Sequence, residues 1–174
     1  MKATKLVGIL SIIAGLVMIV AGAITWGVVT SQLKAENITV PGDSEFMGGA
    51  YAGKKVGGPL SAYAQADIIN VHALKGSNGE TYASLGKLAN EAREAGDEAK
   101  AEEYQAQRTS MMNASFLRSS LFSSVIAYGV SALVMGLGLM LGLIGWALTT
   151  IRNREYAADR VDGVRGDGAT EVRA

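Results

Sequence analysis

His72 is the side chain with the widest chemical range in this sequence, because it is the only histidine and the chain has no cysteine. A 2-His-1-carboxylate iron site needs a second histidine, and thiolate-based zinc or iron–sulfur sites need cysteine. Asp67 could pair with His72 as a general base, but a five-residue separation on a helix puts the two side chains about 140° apart around the axis. His72 is therefore predicted to be a helix-surface or packing residue.

Two other polar segments also lack the pattern of a reactive site. The lysines that follow Gly53 do not have the G-x-x-x-x-G-K-[ST] spacing of a phosphate-binding loop. The segment 91–103 mixes acidic side chains with Arg93 and Lys100, which is typical of a solvated helix face. Since the net charge is zero, the chain has no overall attraction to nucleic acid. The sequence thus predicts a non-enzymatic protein with no catalytic residue, no cofactor, no metal site and no nucleic-acid partner.

Two long apolar segments without a charge flank the polar centre of the chain. The first runs from Leu6 to Val29 and the second from Leu121 to Ile151. About 20 helical residues cross a hydrocarbon core of roughly 30 Å, so both segments are long enough to span a membrane. We therefore expect an all-α membrane protein, a two-helix transmembrane hairpin with spans at 6–29 and 119–151. It would carry a small, mainly helical extracytoplasmic cap at 30–118.

The first apolar segment also fits a second interpretation, that of a cleaved signal peptide. Lys2 and Lys5 would form its basic start, and Ala21-Gly22-Ala23 resembles a small-residue cleavage site. The apolar run is longer than the hydrophobic part of an ordinary signal peptide. A retained transmembrane helix is therefore the favoured interpretation.

Basic residues around the two segments predict the orientation in the membrane. Such residues near the ends of a span tend to stay in the cytoplasm. Six lie on the terminal sides and three on the central side; the terminal six are Lys2, Lys5, Arg152, Arg154, Arg160 and Arg165, and the central three are Lys34, Arg108 and Arg118. We thus expect a plasma-membrane protein with residues 1–5 and 152–174 in the cytoplasm. The 152–174 tail has no apolar periodicity and is predicted to be flexible.

Glycine recurs at helical spacing within both apolar segments. It costs about 1 kcal/mol of helix stability relative to alanine, and its usual use in lipid is to let two helix backbones approach closely. The first segment has one row at seven-residue intervals, which favours a shallow left-handed crossing. The second has two rows on different faces, one for the first span and one for another subunit. The predicted packing residues are Gly8, Ser11, Gly15, Gly22, Gly129, Ala132, Gly136, Gly138, Gly142 and Gly145.

The polar centre is predicted to form three helices after an irregular segment at 30–59. The first runs from Leu60 to Lys75, with apolar residues on one face, and the second from about Thr81 to Ala95. The third begins after Asp97, which is a favourable N-cap residue. The pattern is equally consistent with a kink at 109–113 and with a continuous helix into the second span.

Four segments carry a resemblance to known proteins: MKATKLVGIL at 1–10, AGLV at 14–17, NASFLRSSLF at 113–122 and AYGV at 127–130. Together they resemble a group of small two-pass membrane proteins of actinobacteria. The resemblance implies an actinobacterial plasma membrane, with the cap on the cell-wall side. Such proteins are often named aromatic ring-opening dioxygenases, but iron(II) enzymes of that kind need two histidines and a carboxylate. The single histidine here contradicts that name.

Three functions are compatible with these features. The first is an accessory or structural subunit that packs on a larger membrane complex, for which a respiratory supercomplex is a candidate in such a host. In that case Gly138→Leu or Gly142→Leu is expected to release the partner. The second is a self-assembling homo-oligomeric scaffold, and the third is a sensor or ligand-binding cap. In the third, one pocket would be lined by Tyr63, Tyr82 and Tyr104. The expected partners are the lipid bilayer and other membrane protein subunits or copies of this chain.

Overall fold

Four helices make up the regular structure of the part of the chain that the structure describes. A computed structural model describes the backbone of residues 2–167 and the side chains of residues 3–150. The helices are α1 (Lys2–Ala35), α2 (Pro59–Gly76), α3 (Tyr82–Glu94) and α4 (Glu98–Asp167). Over the described residues there is no β-strand, only an isolated antiparallel bridge between Thr39 and Lys55. The predicted all-α class is confirmed.

Helices α1 and α4 contain the two apolar segments and are long and apolar enough to cross a membrane. In the most apolar 18-residue window of each, only 17% is buried. Helix α1 continues beyond the predicted span, from Val29 to Ala35. Helix α4 joins the third polar helix to the second apolar segment without a break at 109–113. The alternative of a continuous helix is therefore the one observed.

The backbone of residues 152–167 continues α4 as a helix. Extending an existing helix adds one hydrogen bond per residue without a new nucleation step. The stretch that follows Ile151 also includes the strong helix formers Arg152, Arg154 and Glu155. The rest of the predicted tail, residues 168–174, lies outside the described part of the chain.

The chain divides into two compact units. One contains the residues up to Ile24 together with those from Val130 onward, and the other is Thr25–Gly129. The core of the first unit is a contact between α1 and α4 along small residues, described below. The core of the second unit includes Val40, Val56 and three alanines of α2, at positions 62, 64 and 66. All three alanines are fully buried, so α2 is enclosed on more than one side.

Local sequence explains where the short helices begin and end. Pro59 occupies the first turn of α2, where its missing N–H is not needed. Thr81 and Ser84 form reciprocal hydrogen bonds at the start of α3, with Ser84 N donating to Thr81 Oγ1 at 3.3 Å. Asp97 accepts a hydrogen bond from Lys100 N at 3.1 Å, which confirms it as the N-cap of α4. The two short helices match the predicted ones to within a residue at each end.

The segment between α1 and α2 is irregular, as predicted, but it has internal pairing that the sequence did not indicate. Val40 N donates to Lys54 O, Gly53 N donates to Val40 O, and Val56 N donates to Ile38 O, each at 2.9 Å. These bonds fold the segment back on itself and place Val40 and Val56, each 1% exposed, in the core of the second unit.

Candidate helix-packing interface

Three glycines of α1 lie against small residues of α4 in the first unit. Gly8 faces Gly145, Gly15 faces Gly138, and Gly22 faces Ser131. Each step of seven residues forward along α1 matches a step of seven backward along α4, so the two helices run antiparallel in this unit. All six residues are buried, whereas most of their neighbours on both helices are exposed.

At the middle level the close approach is reciprocal. A Cβ atom at Gly138 would lie 2.6 Å from the carbonyl oxygen of Gly15. A Cβ atom at Gly15 would meet the carbonyl oxygen of Gly138 and lie 2.9 Å from the backbone nitrogen of Gly142. Contacts under 3.0 Å are essentially never made by real Cβ atoms, and backbone atoms cannot rotate away as side chains can. Any side chain at Gly15 or Gly138 would therefore force the helices apart.

The same relation holds at the two flanking levels. A Cβ atom at Gly8 would lie 3.0 Å from the carbonyl oxygen of Gly145, and one at Gly145 would meet the carbonyl oxygen of Gly8. A Cβ atom at Gly22 would lie 2.9 Å from the carbonyl oxygen of Ser131. The glycine Cα–H that replaces the Cβ thus points at a carbonyl oxygen, a weak hydrogen bond that recurs at helix–helix interfaces. Since contact persists from Gly8 to Gly22, about 21 Å along the axis at 1.5 Å per residue, the crossing is shallow.

The other glycine row of α4 has no neighbour of this kind. A Cβ atom at Gly129 or at Gly136 would meet nothing within 4 Å among the described residues. At 100° per residue, this row lies on the side of α4 roughly opposite the row that contains Gly138 and Gly145. Large apolar side chains surround it, and Leu133 and Met140 are 62% and 59% exposed.

The remaining predicted packing residues have intermediate roles. Ser11 is half-buried on α1, beside the buried glycine row. Ala132 is exposed, on the side of α4 that carries Gly129 and Gly136. Gly142 has open space where a Cβ would be, yet its backbone nitrogen lies close to Gly15. The G-x-x-x-G pair of Gly138 and Gly142 therefore belongs to the contact within the chain, and only Gly129, Ala132 and Gly136 form an outward row.

In the second unit, α1 and α4 are joined by an aromatic residue that the sequence analysis missed. The Tyr128 ring is 1% exposed, and its hydroxyl lies 2.8 Å from the Thr30 hydroxyl. The Trp26 ring packs edge-on against it, with centroids 4.6 Å apart. A tyrosine inside an apolar segment needs a partner for its hydroxyl when it is buried. This requirement could have identified Tyr128 as a contact residue from the sequence.

The three tyrosines proposed to line one pocket have separate surroundings. Tyr63 packs between Phe46 and Phe122, with centroid distances of 5.0 and 5.6 Å. The Arg108 guanidinium lies 4.2 Å from the Tyr82 ring centroid. Tyr104 lines a cleft of about 240 Å³ at the junction of α3 and α4, which neither of the other tyrosines lines. Tyr63 and Tyr82 thus make separate ring contacts, and Tyr104 lines a cleft apart from both.

His72 has a partner, but it is not Asp67. Its Nε2 lies 2.7 Å from Asp43 Oδ2, in the irregular segment after Pro41. The hydrogen bond from His72 lowers the pKa of the Asp43 carboxyl below its usual range, and the positive charges of His72 and Lys75 add to this effect. Both side chains are substantially exposed, at 46% and 65%, so the pair is a surface tie between α2 and this segment. His72 and Asp43 are 29 positions apart in the sequence, so no local pattern indicates that they pair.

The described residues contain no group of three or more histidine, cysteine, aspartate or glutamate side chains that could hold a metal ion. What the geometry of the described residues does assemble is a set of small residues for helix contact. Comparison with protein-family models, with curated proteins and with solved structures finds no match for this chain.

Proposed function

We propose that this chain is a non-enzymatic integral membrane protein that packs, as an accessory or structural subunit, on a larger membrane complex. It crosses the bilayer twice as a helical hairpin formed by α1 and α4. Both termini lie in the cytoplasm, and residues 30–118 form a small helical cap outside. The resemblance to two-pass actinobacterial proteins supports a plasma membrane of that type, with a respiratory supercomplex as a candidate partner.

The exposure of the apolar side chains supports membrane embedding. Residues such as Val17 and Ile24 on α1 and Leu133 and Leu143 on α4 are more than half exposed. Full burial of one such side chain is worth about 1.5–3 kcal/mol relative to water. A core helix of a soluble protein gains that stabilisation because its apolar side chains are buried, whereas these helices bury only 17% of their most apolar windows. Lipid acyl chains would cover this surface without a protein partner.

The observation that carries the subunit proposal is the unequal use of the two glycine rows of α4. Gly138 and Gly145 are occupied by α1, but Gly129 and Gly136 have no neighbour within 4 Å of a Cβ position. Lipid offers no reason to keep a helix-weakening residue on an exposed face, because acyl chains contact leucine as well as glycine. A helix of another subunit would use these glycines as α1 uses the first row.

The proposal requires the first apolar segment to remain in the mature chain. Its three buried glycines fill the row on α4, and cleavage after Ala23 would remove all three. We expect the protein purified from its native membrane to have an intact N-terminal segment by mass spectrometry. A mature chain that begins near residue 24 would contradict the hairpin.

Substitution of Gly136 tests the partner contact. Gly136→Leu should leave the hairpin intact and release partner subunits from the complex isolated in mild detergent, because the leucine would occupy the space of the partner backbone. Gly27→Leu is the matched control, since Gly27 also has open space around it but lies on α1. Gly138→Leu is unsuitable, because it would break the contact between α1 and α4 first.

The mass of the protein in lipid nanodiscs identifies the partner class. A mixed mass that falls to that of the single chain in Gly136→Leu supports a heterologous complex. A mass that is a multiple of the single-chain mass, and that falls to the single-chain mass in Gly136→Leu, would show self-assembly, the alternative function of this face. A single chain that is unchanged by the substitution would refute both.

Single cysteines test the orientation without interference, because the chain has no cysteine of its own. Glu94→Cys, at an exposed position of α3, should react with a membrane-impermeant maleimide in intact cells, and Thr4→Cys should react only after permeabilisation. The reverse pattern would invert the proposed topology. Release of the chain by alkaline carbonate would contradict membrane embedding altogether.

A further inference from the structure

A cleft of about 370 Å³ lies in the second unit, between the last turns of α1 and the part of α4 at 120–127. It is wider than a single bound ion needs, and it is open on one side. One wall is apolar and includes Val29. The polar lining comes from Gln32, Glu36, Ser120, Ser123 and Ser124.

Three polar groups in this cleft offer hydrogen-bond acceptors, while the Gln32 amide can both donate and accept. The Ser123 hydroxyl donates its proton to Ser119 O at 2.9 Å, and the Ser124 hydroxyl donates to Ser120 O at 3.3 Å. Both oxygens therefore keep lone pairs that can accept from a ligand. The Glu36 carboxylate is an acceptor only and makes no ion pair with any described residue. A ligand with several N–H donors matches this lining.

The local charge favours a cation. Glu36 is the one charged side chain that lines the cleft. The last carbonyls of α1, which ends at Ala35, add the partial negative charge of a helix C-terminus. A single carboxylate is too few for a calcium site, which uses several oxygen ligands in a closed shell. A primary ammonium, with three donors and one positive charge, fits better.

We propose that this cleft binds the primary ammonium of an aminophospholipid headgroup, as in phosphatidylethanolamine. The inference rests on the proposed membrane function, which places the end of the first span and the start of the second at headgroup depth. The ammonium binds Glu36 and the serine oxygens, and the acyl chain follows the apolar wall at Val29.

Fluorescence of Trp26 tests this proposal, because Trp26 lies one turn before Val29 on α1. The chain has two tryptophans, so Trp146→Phe leaves Trp26 as the single reporter. In phosphatidylcholine vesicles, brominated phosphatidylethanolamine should quench Trp26 more than brominated phosphatidylcholine with the same acyl chains. We expect a relative binding constant of about five, typical of one partly exposed ion pair with hydrogen bonds.

Glu36→Gln should reduce this ratio to about one, and Glu94→Gln, on α3, should leave it unchanged. Loss of the preference in Glu36→Gln alone supports the proposal. Equal quenching by the two lipids in the Trp146→Phe chain with Glu36 retained would overturn it. Ethanolamine can also be added to the protein in detergent solution. If it changes Trp26 fluorescence in the chain with Glu36 but not in Glu36→Gln, while the two lipids quench equally, the ligand is a soluble amine. That result would refute the lipid assignment.

Failure of the membrane function would be seen separately. Vesicle flotation on the same samples reports whether the chain is embedded, whatever the lipid preference. The ethanolamine titration does not depend on embedding, so the two inferences fail by different measurements.

Discussion

Gly15→Ala is the substitution that most directly probes the contact between α1 and α4. The added methyl group would meet the carbonyl oxygen of Gly138 and lie 2.9 Å from the backbone nitrogen of Gly142. Both opposing atoms are backbone, so relief requires that the two helices separate. Overpacking of this kind costs about 1–3 kcal/mol, and the better helix propensity of alanine returns up to about 1 kcal/mol. We expect a net loss of up to about 2 kcal/mol in the free energy of unfolding.

The free energy of unfolding can be measured by titration with sodium dodecyl sulfate in mixed micelles, followed by circular dichroism and tryptophan fluorescence. Gly27→Ala is the control, because a Cβ at Gly27 meets nothing within 4 Å. It should be neutral or slightly stabilising through helix propensity. Equal stability of Gly15→Ala and Gly27→Ala would refute the close approach of the two backbones.

A double substitution sharpens this test. Gly138→Ala would force the same two helices apart from the α4 side, since its Cβ would lie 2.6 Å from the Gly15 carbonyl oxygen. Once the helices have separated for one methyl group, the second costs less. Gly15→Ala combined with Gly138→Ala should therefore destabilise by less than the sum of the single effects. Strict additivity would show that the two glycines are not in contact.

Three further features of the second unit can be tested by substitution. Tyr128→Phe should cost about 1 kcal/mol in the same unfolding assay, with no further loss on adding Thr30→Val; independent losses would exclude their hydrogen bond. Because the pKa of Asp43 is lowered in the folded protein, its hydrogen bond with His72 stabilises the fold at pH values above the ordinary carboxyl pKa. This stabilisation is lost as the pH falls through the lowered pKa. The protection factors of amides near Asp43, which compare their exchange with that of unstructured peptide at the same pH, should thus fall with acid, and Asp43→Asn should abolish that dependence; an unchanged acid response would contradict the pairing. Asp97→Ala should lose about 1 kcal/mol through the N-cap of α4, and an unaltered unfolding midpoint would argue against that cap.

Much of the fold could be predicted because its determinants are local. Charge-free apolar runs and a seven-residue glycine repeat identify the long helices and one packing row. Capping residues such as Thr81 and Asp97 mark the ends of the short helices to within a residue. These patterns depend on neighbours in the sequence, which a single chain displays directly.

The rest depends on contacts between distant residues. The 98-residue separation between Thr30 and Tyr128 gives no periodic pattern to detect. Nor could the sequence decide which glycine row of α4 meets α1, because both rows contain two glycines seven residues apart. The expectation that Gly138→Leu would release a partner arose from this ambiguity. The acceptor-lined cleft at Glu36 also needs two distant helices to come together.

The bond between Tyr128 and Thr30 has a consequence for how α1 and α4 align. Contacts that repeat every seven residues do not by themselves define one alignment, since sliding α1 by seven places would set Gly15 against Gly145 and Gly22 against Gly138. The tyrosine–threonine bond does not repeat, and a slip would leave a polar hydroxyl stranded among apolar groups. A single polar pair would thus favour one register of the two helices over the others, much as a buried asparagine does in a coiled coil.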